Sequence, residues 1–442
     1  MKFRMLVVAA SLGVIALSVP NIASSAPNAG GSSGQQTVRY HGLALQVPAA
    51  WPVYDLQRDP TLCVRFDVHA VYLGHPGADM DCPAALVGRT DAVLLEADDG
   101  TVAPSTAPAT SVNANGLTVE LSPPPGHARE LDARVRGAGV LATLSFGPSD
   151  ATAQTILASF APSSGPDTSA STGGVVHPNR KRPPPSTTTT TSPPGGTKPP
   201  PNPPTPPQGF DACTAPSATT MQTWWNQSPY TSIAIYVGGA LRACSQPNLT
   251  AAWKTTVSAM GWHFFPLWVG PQAPCTGYSQ TITTDPFGAF LAGVQQAQFA
   301  KPALQGLGFG LFATIWYDME AYFPTGSCSS AAQAAGVQNF AGGWAWQLHQ
   351  YGYGAGLYSS LCCGINDLAK VYYTTAGSNL VNSVWIAAWN NTPNLFGFTG
   401  TVLTDQMWPD HQRVHQFRGG HDETWGGVTI NLDNDADGVY WP

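Results

Sequence analysis

The sequence predicts an α/β protein whose C-terminal half is a (β/α)8 TIM-type barrel, preceded by a small, mostly β domain. Three observations predict this organisation. Apolar residues alternate with period two before residue 162, a Pro- and Thr-rich segment follows, and strand-like and helix-like runs then alternate from residue 208. Eight strand-like runs in residues 208–442 suit a barrel of typical size. A doubly wound open sheet is the alternative, because strand patterns alone do not separate the two folds.

Composition narrows the class of protein. The chain has 442 residues, which is roughly two or three domains, and 43% of them are hydrophobic, enough for sizeable cores. Charged residues make up 10% of the chain, against about 25% in typical proteins. The net charge of −7 argues against nucleic acid as a partner. We expect a monomer that needs no cofactor.

Residues 1–26 have the pattern of a secretory signal peptide. Lys2 and Arg4 form a basic start, the apolar core is Met5–Val19, and small residues from Ala23 to Ala26 offer a cleavage site. An uncleaved anchor is the alternative. No later apolar run is long enough to span a bilayer. We therefore expect a secreted or cell-wall-associated protein, with no stable membrane insertion after signal cleavage.

The cysteine content agrees with export. The chain has eight cysteines, and an even number in an exported chain predicts disulfides. Their spacing does not resemble a zinc site, because no Cys-x2-Cys pair occurs. Cys63 and Cys82 are the two cysteines of the first domain, so we expect them to pair. The spacing of the other six does not determine their connectivity.

Residues 37–162 are predicted to form the small, mostly β domain. Leu43, Leu45 and Val47 alternate with other residues, and Asp150–Phe160 has the pattern of a closing helix. This domain shows no catalytic grouping of side chains. Residues 163–207 are rich in Pro, Ser and Thr and are predicted to be a disordered linker, because such a composition cannot form a core.

Residues 208–442 are predicted to be the barrel. The predicted strands are Gly209–Cys213, Ser232–Gly238, Phe264–Val269, Ala313–Glu320, Ala355–Ser359, Val384–Trp389, Arg413–Phe417 and Val428–Asp433. The predicted helices are Thr219–Asn226, Leu249–Met260, Pro286–Ala300, Ser329–Tyr351 and Asn366–Tyr372, with a weaker one between Trp389 and Arg413.

A pair of acids ends the fourth predicted strand. Asp318 and Glu320 are two residues apart, so their side chains leave a strand on the same face. Two carboxyl groups in one place can have different pKa values, so that one acts as an acid and the other as an anion. Glycoside hydrolysis uses such a pair. A strand cap or an ion pair is the ordinary explanation of a lone Asp-x-Glu.

Other polar and aromatic residues fall at the same predicted end of the barrel. Asp211 ends the first strand and Asp433 the eighth, and these strands are neighbours in a closed barrel, so we expect the two acids to meet. Aromatic faces beside carboxylates suit a sugar ring. The candidate substrate-binding residues are Tyr236, Trp268, Tyr322, Tyr358, Trp389 and His415.

Several short motifs resemble those of a known family. They are Gly209–Ser217, Ile235–Gly239, Tyr317–Tyr322, Gly356–Ser359 and Trp385–Trp389. Together they look like an actinobacterial family of secreted, glycoside hydrolase-like barrels, which is similar in turn to the family-25 lysozymes that cleave peptidoglycan. The resemblance covers residues 208–442.

The resemblance also implies roles for the four acids. Glu320 matches the general acid of the lysozymes, and Asp318 matches the neighbouring carboxylate that stabilises the developing cation or orients the N-acetyl group. Asp211 and Asp433 match the first-strand and last-strand acids. We expect a raised pKa for Glu320 and an ionised Asp318.

Two metal sites are alternatives for other clusters. Asp433–Gly438 fits the first half of a calcium loop, although the Glu at its twelfth position would lie beyond Pro442. His411, His415 and His421 could suggest zinc, but their spacing crosses a predicted strand and a Gly-Gly turn. We predict no metal.

The sequence therefore predicts a glycoside hydrolase-like protein that hydrolyses peptidoglycan-type cell-wall polysaccharide. Glu320 would be the acid, with Asp318, Asp211 and Asp433 as the other catalytic carboxyls. The main alternative is a non-catalytic protein that binds cell-wall glycan or acts as a scaffold. A metal-dependent envelope hydrolase is the third possibility.

Overall fold

The computed structural model describes residues 34–100, 109–124, 129–169, 206–374 and 380–439. The predicted signal peptide, residues 1–26, lies outside the described residues, as do residues 170–205 of the predicted linker. Within the described ranges, no helix combines the length and apolar character needed to cross a bilayer.

Residues 34–169, called the N-terminal β-region below, form two sheets. The first is three-stranded, in the order β1-β2-β10, and the second is seven-stranded, in the order β3-β4-β5-β9-β8-β7-β6. The strands are β1 Gln35–Tyr40, β2 Leu43–Pro48, β3 Val53–Asp55, β4 Val71–Leu73, β5 Ala92–Ala97, β6 Thr110–Ala114, β7 Leu117–Ser122, β8 Glu130–Val135, β9 Val140–Ser145 and β10 Ala161–Pro162. Helix α1 is Ala151–Ala158.

The core of this region follows from the period-two pattern. Leu43, Leu45 and Val47 of β2 are fully buried, whereas the residues between them are partly exposed. They pack with Ile156 and Leu157 of α1 in one apolar cluster. The buried face of β2 thus packs against the buried side of α1 to form the core.

The C-terminal region is a closed barrel of eight strands in chain order. The strands are β11 Gln208–Asp211, β12 Ser232–Gly238, β13 His263–Trp268, β14 Thr314–Asp318, β15 Gly354–Ser360, β16 Ser383–Ala387, β17 Arg413–Trp425 and β18 Val428–Asp437. The first seven run parallel, and β18 is antiparallel to both of its neighbours, β17 and β11.

Helices follow only the first five barrel strands within the described residues. They are α2 Ala218–Gln227, α3 Ala251–Met260, α4 Pro286–Gly306, α5 Ser330–Gln350 and α6 Asn366–Val371, the last preceded by a π-helical turn at Leu361–Ile365. Ser217, Thr250, Asp285 and Ser329 cap the first four, each accepting a hydrogen bond from a backbone N–H of the first turn.

The predicted (β/α)8 barrel is therefore wrong. Residues 388–412 join β16 to β17 without a helix, and β17 turns directly into β18. Gly426 and Gly427, with φ of 59° and 82°, form the two-residue turn between the paired residues Trp425 and Val428. Such a turn makes an antiparallel hairpin, because it reverses the chain within two residues. A helical crossover is needed only between parallel strands.

Side chains fill the barrel interior. Residues that alternate along the strands point inward and form one apolar cluster, which includes Phe265, Trp316 and Trp385. The Trp316 and Trp385 rings meet edge to face with centroids 5.8 Å apart. The interior is a packed core rather than a pore, so polar groups at its end are also removed from water.

Disulfides connect the loops that follow the strands. The predicted Cys63–Cys82 pair is confirmed. Cys213–Cys244 joins the loops after β11 and β12, and Cys275–Cys328 joins the loops after β13 and β14. The adjacent Cys362 and Cys363 form the remaining bond. Disulfides are typical of proteins from oxidising compartments.

Replacing Gly343 with Ala tests the close packing of α4 on α5. An added Cβ at Gly343 would overlap the backbone carbonyl of Phe290, so the helices would have to separate. We expect the free energy of unfolding to fall by about 1–3 kcal/mol, measured by thermal denaturation. The control is Gly306→Ala at the end of α4, where an added Cβ meets no atom within 4 Å. Equal stability of the two variants would contradict this account of the helix contact.

Candidate active site

Carboxyl groups gather inside one end of the barrel. Asp211 of β11 is paired in register with Asp433 of β18, so the predicted meeting of these two acids is confirmed. Asp435 points inward two residues further along β18, and Asp318 ends β14. All four are buried; Asp211, for example, is 2% exposed. Below, the carboxyl cluster means these four residues together with Glu320.

Gln416 of β17 holds the cluster together. Its Nε2 donates to Asp211 Oδ2 at 2.9 Å and to Asp433 Oδ2 at 3.2 Å. Its Oε1 accepts from the Tyr358 hydroxyl at 3.0 Å and from Trp389 Nε1 at 2.9 Å. An amide can donate two and accept two hydrogen bonds, and all four are made here. The side chain therefore fixes two acids and two aromatic residues relative to one another.

Gln272 fixes the chain where β14 ends. Its Oε1 accepts from the backbone N–H of Glu320 at 2.8 Å, and its Nε2 donates to the carbonyl oxygen of Asp318 at 2.9 Å. Gln272 is almost fully buried, so its amide has few competing partners. Strand β14 ends at Asp318, so Glu320 lies beyond it and the two acids do not share a strand face; this double contact positions the backbone of both.

Burial raises the pKa of every group in the carboxyl cluster. It raises the pKa of Asp211 to about 7 and, with the nearby charge of Asp211, that of Asp433 to about 9. Burial raises the pKa of Asp435 well above its usual range, with Asp211 and Asp433 adding to the effect. The pKa of Glu320 is raised for the same first reason. Neutral carboxyl groups avoid the cost of burying charge.

Burial disfavours the ionised form of Asp318, contrary to the expectation that this residue is ionised. Burial raises its pKa well above the usual range, and the charges of Glu320 and Asp211 act in the same direction. The space between Asp211, Tyr236, Asp318 and Tyr358 is about 160 Å³ and has no room for a water-sized sphere. Without water to solvate it, a charge on Asp318 is strongly disfavoured.

Three of the predicted aromatic residues lie at the cluster. Tyr236 and Tyr358 line the space beside Asp211 and Asp318. Trp389 is 64% exposed, and its indole packs over Gly419, where an added Cβ would overlap the ring. Trp389 therefore offers an open aromatic face that is tied to the buried acids through Gln416.

The structure does not bring the other three predicted substrate-binding residues to the cluster. Trp268 points away from the interior, and its Nε1 donates to Gln296 on α4 at 2.9 Å. The Tyr322 hydroxyl donates to Asp367 Oδ2 at 2.7 Å. The ring nitrogens of His415 lie 2.6 and 2.8 Å from backbone carbonyl oxygens, and the residue is fully buried. These side chains support the packing around the barrel.

The sequence places Gln416 and Asp435 at the same end of the barrel without marking them as site residues, and it does not identify Gln272. The spacing of Asp435 from Asp433 places both on one face of a strand and could have identified it. Gln416 has the same inward phase as Val414 on β17, which is visible once the strand is known. Gln272 lies in a loop, where no periodicity indicates its direction.

The alternative metal sites are not formed. Asp433–Asp437 is part of strand β18, paired with β11 and β17, and is not a calcium-binding loop. Among the described residues, a search for three or more possible ligands close together found only Cys63, Cys82 and Cys244, all in disulfides. His411, His415 and His421 therefore do not converge as a zinc site.

Replacing Asp433 with Asn tests the raised pKa values. Because the folded pKa of Asp433, about 9, exceeds the unfolded value of about 3.9, the folded state holds an extra proton. Stability is therefore highest in acid and is lost as the pH rises through the folded pKa. The amide introduced by Asp433→Asn cannot ionise, so above about pH 7 we expect the variant to exceed the wild type in unfolding free energy by about 1–3 kcal/mol.

The measurement is the melting temperature of both proteins between about pH 5 and pH 9. Asp410→Asn, at an exposed position on the barrel, is the matched control and should follow the wild-type curve. Parallel curves for wild type and Asp433→Asn would show that Asp433 is not protonated in the fold.

A protein-family model and several solved structures are similar to part of this chain. No curated protein matches the chain. An uncharacterized B. stearothermophilus protein shares 16% identity over 52% of this chain and 95% of its own, with a TM-score of 0.35. The modular autolysin LytC from Streptococcus pneumoniae, solved alone and with a synthetic peptidoglycan ligand, shares 11% identity over 52% of this chain and 46% of its own, with a TM-score of 0.33. Residues 222–437 match the model of the Rv2525c-like, glycoside hydrolase-like domain, and this part of the chain is therefore glycoside hydrolase-like.

Proposed function

We propose that the barrel hydrolyses a cell-wall glycan of the peptidoglycan type, with Glu320 as the general acid. The observation that carries this proposal is the placement of Glu320. It follows directly after β14, beside the buried Asp318, and remains partly exposed while its pKa is raised by burial. A carboxyl group that keeps its proton near neutrality and can reach solvent is suited to protonating a leaving group.

Asp318 would complete the pair. Once Glu320 has protonated the glycosidic oxygen, the bond to the sugar carbon breaks and positive charge develops on the ring. As that charge develops, Asp318 passes its proton to Glu320, which has just given up its own, and the resulting Asp318 carboxylate stabilises the cation. A water molecule then bonds to the sugar carbon, and the proton that it loses returns to Asp318. Repulsion between Asp318 and Glu320 opposes ionising both, so one proton stays with the pair. This arrangement supports the proposed division into one acid and one stabilising anion.

Asp211 and Asp433 would serve as acids of the pocket, and the aromatic residues as its platform. The hydroxyl groups of a sugar can bond to carboxyl oxygens, while its apolar face packs on an aromatic ring. Trp389 and Tyr358 both bond to Gln416, which also holds Asp211 and Asp433. Gln416 therefore fixes the positions of the polar and the aromatic groups relative to one another.

The cell envelope is the proposed place of action. The signal-like residues 1–26 and the disulfides both fit an exported protein. Low charge content and a net charge of −7 fit an uncharged or amphoteric glycan better than a polyanion. The proposed partner is cell-wall polysaccharide.

A non-catalytic glycan-binding or scaffolding role is the second candidate. The observation that favours it is the tight packing around Asp318, since no water-sized space lies between Asp211, Tyr236, Asp318 and Tyr358. Hydrolysis needs both a sugar and a water molecule at the acids. Binding through the exposed Trp389 face would need neither.

Replacing Glu320 with Gln separates the two candidates. Gln keeps the size of the side chain but cannot donate the proton, so we expect the release of reducing ends from purified peptidoglycan to fall by about 100- to 10,000-fold. Binding to the same peptidoglycan in a pull-down should persist, and the melting temperature should change little.

Asp410→Asn is the control: it removes an exposed carboxyl group outside the carboxyl cluster and should keep wild-type activity. Full activity of Glu320→Gln would remove Glu320 from the mechanism. Binding without release by the wild type would establish the non-catalytic function instead.

A further inference from the structure

The N-terminal β-region is seated on the end of the barrel that holds the carboxyl cluster. Backbone hydrogen bonds run from Phe66 N to Ala243 O at 2.8 Å and from Gly88 N to Leu241 O at 2.9 Å. Arg129 contacts Gln280 in the loop after β13. Loops that follow parallel strands all lie at the carboxyl end of a barrel. The N-terminal β-region therefore covers the face through which a ligand would reach the acids.

One segment of this region, Cys82–Arg89, lies over the cluster itself and is called the cover loop. Its Ala84 N–H donates to Asn431 Oδ1 at 2.7 Å. A Cβ built on Gly420 would lie 3.8 Å from both the Ala84 Cβ and Asp433 Oδ1, so Ala84 is near the acid. Further along, Val87 packs against the barrel's interior cluster, which includes Tyr236 and Trp385.

The cover loop is fixed to the N-terminal β-region at both ends. Cys82 is bonded to Cys63 at its start. At its end, the buried Arg89 donates to Ser145 Oγ at 2.9 Å and pairs with Glu130. A loop held in this way moves with its sheet and not by itself. Uncovering the cluster therefore requires the whole region to move.

The contact between the region and the barrel is incompletely packed. A cleft of about 590 Å³ lies between them, lined from one side by residues such as Asp79 and Thr61 and from the other by Thr214 and Asn431. Arg242, which pairs with Val87 across the contact, is buried, and its Nε has no hydrogen-bond partner. Burying a guanidinium group without a partner for each N–H is unfavourable. Separation of the region from the barrel would therefore remove the cost of burying Arg242, although it also breaks the hydrogen bonds of the contact.

We propose that the N-terminal β-region is a gate, and that the cover loop closes the Asp211 and Asp433 side of the carboxyl cluster until the region separates from the barrel. Both of these carboxyl groups are almost fully buried in the closed state, whereas the space beside Asp318 is lined by barrel residues and Glu320 is partly exposed. That the gate admits a glycan rests on the function proposed above. The gate itself concerns only the exposure of the acids, which can be measured without any activity.

Side-chain hydrogen bonds at the rim of the contact offer a way to open it without touching the cluster. Asp79 Oδ1 accepts from Ser217 N at 3.0 Å, and Asn248 Nδ2 donates to Ala78 O at 2.6 Å. Asn431 accepts from Ala84 as described. The full chain with Asp79→Ala, Asn248→Ala and Asn431→Ala loses these three bonds and should populate the open state more.

The measurement is carboxyl labelling by a water-soluble carbodiimide and an amine, followed by peptide mass spectrometry. In the wild type we expect Asp211 and Asp433 to react at least about tenfold more slowly than the exposed Asp410, because only the open fraction reacts. In the triple variant their labelling should rise by about tenfold or more, with Asp410 unchanged. The control triple, Asp150→Ala, Gln222→Ala and Asn226→Ala, alters exposed residues outside the contact and should match the wild type.

Hydrogen exchange at residues 241–245 reports separation independently of labelling. Faster exchange there without faster labelling of Asp211 and Asp433 would overturn the gate, as would wild-type labelling equal to that of Asp410. Labelling that rises without glycan hydrolysis would support the gate and count against the proposed enzyme. Labelling and hydrolysis that rise together would support both.

Discussion

The burial of the carboxyl cluster is the constraint on which the rest of this structure depends. Asp211, Asp433 and Asp435 form hydrogen bonds with one another, with the Gln416 amide and with the Trp385 indole. The amide and the indole are both uncharged. Uncharged partners cannot offset the cost of several buried charges, so the pKa of each acid is raised. The packed interior beneath the cluster and the cover loop above it both maintain this state.

The strand register brings the cluster together whatever the direction of each strand. Asp433 faces Asp211 although β18 is antiparallel, because inward residues alternate with period two in either direction. For the same reason, the sequence could predict the meeting of these acids and still predict the wrong fold class. The Gly426-Gly427 turn is the local signal of the antiparallel return, which the regular spacing of eight strands does not reveal.

The features that the sequence could not predict depend on contacts between distant segments. Trp268 and Leu267 are adjacent, and only the register decides that Leu267 lines the interior while Trp268 faces α4. Ala84 and Val87 have no chemical signature, so their position over the acids is visible only in the folded chain. Gln416 is likewise an ordinary strand residue until its four partners surround it. Period-two reasoning therefore located the acids, but not the groups that hold or cover them.

Protonation of the cluster and closure of the N-terminal β-region are linked. In the closed state burial holds the pKa of each acid above its usual value, which means that protons bind more tightly there than to solvated carboxyl groups. Reciprocally, protons must favour the closed state, and ionisation of any of these acids must favour separation. The same cost of burying charge thus supplies a driving force for opening whenever Asp211 or Asp433 ionises. In the proposed enzyme, a glycan would reach these two acids only after the cover loop has left them.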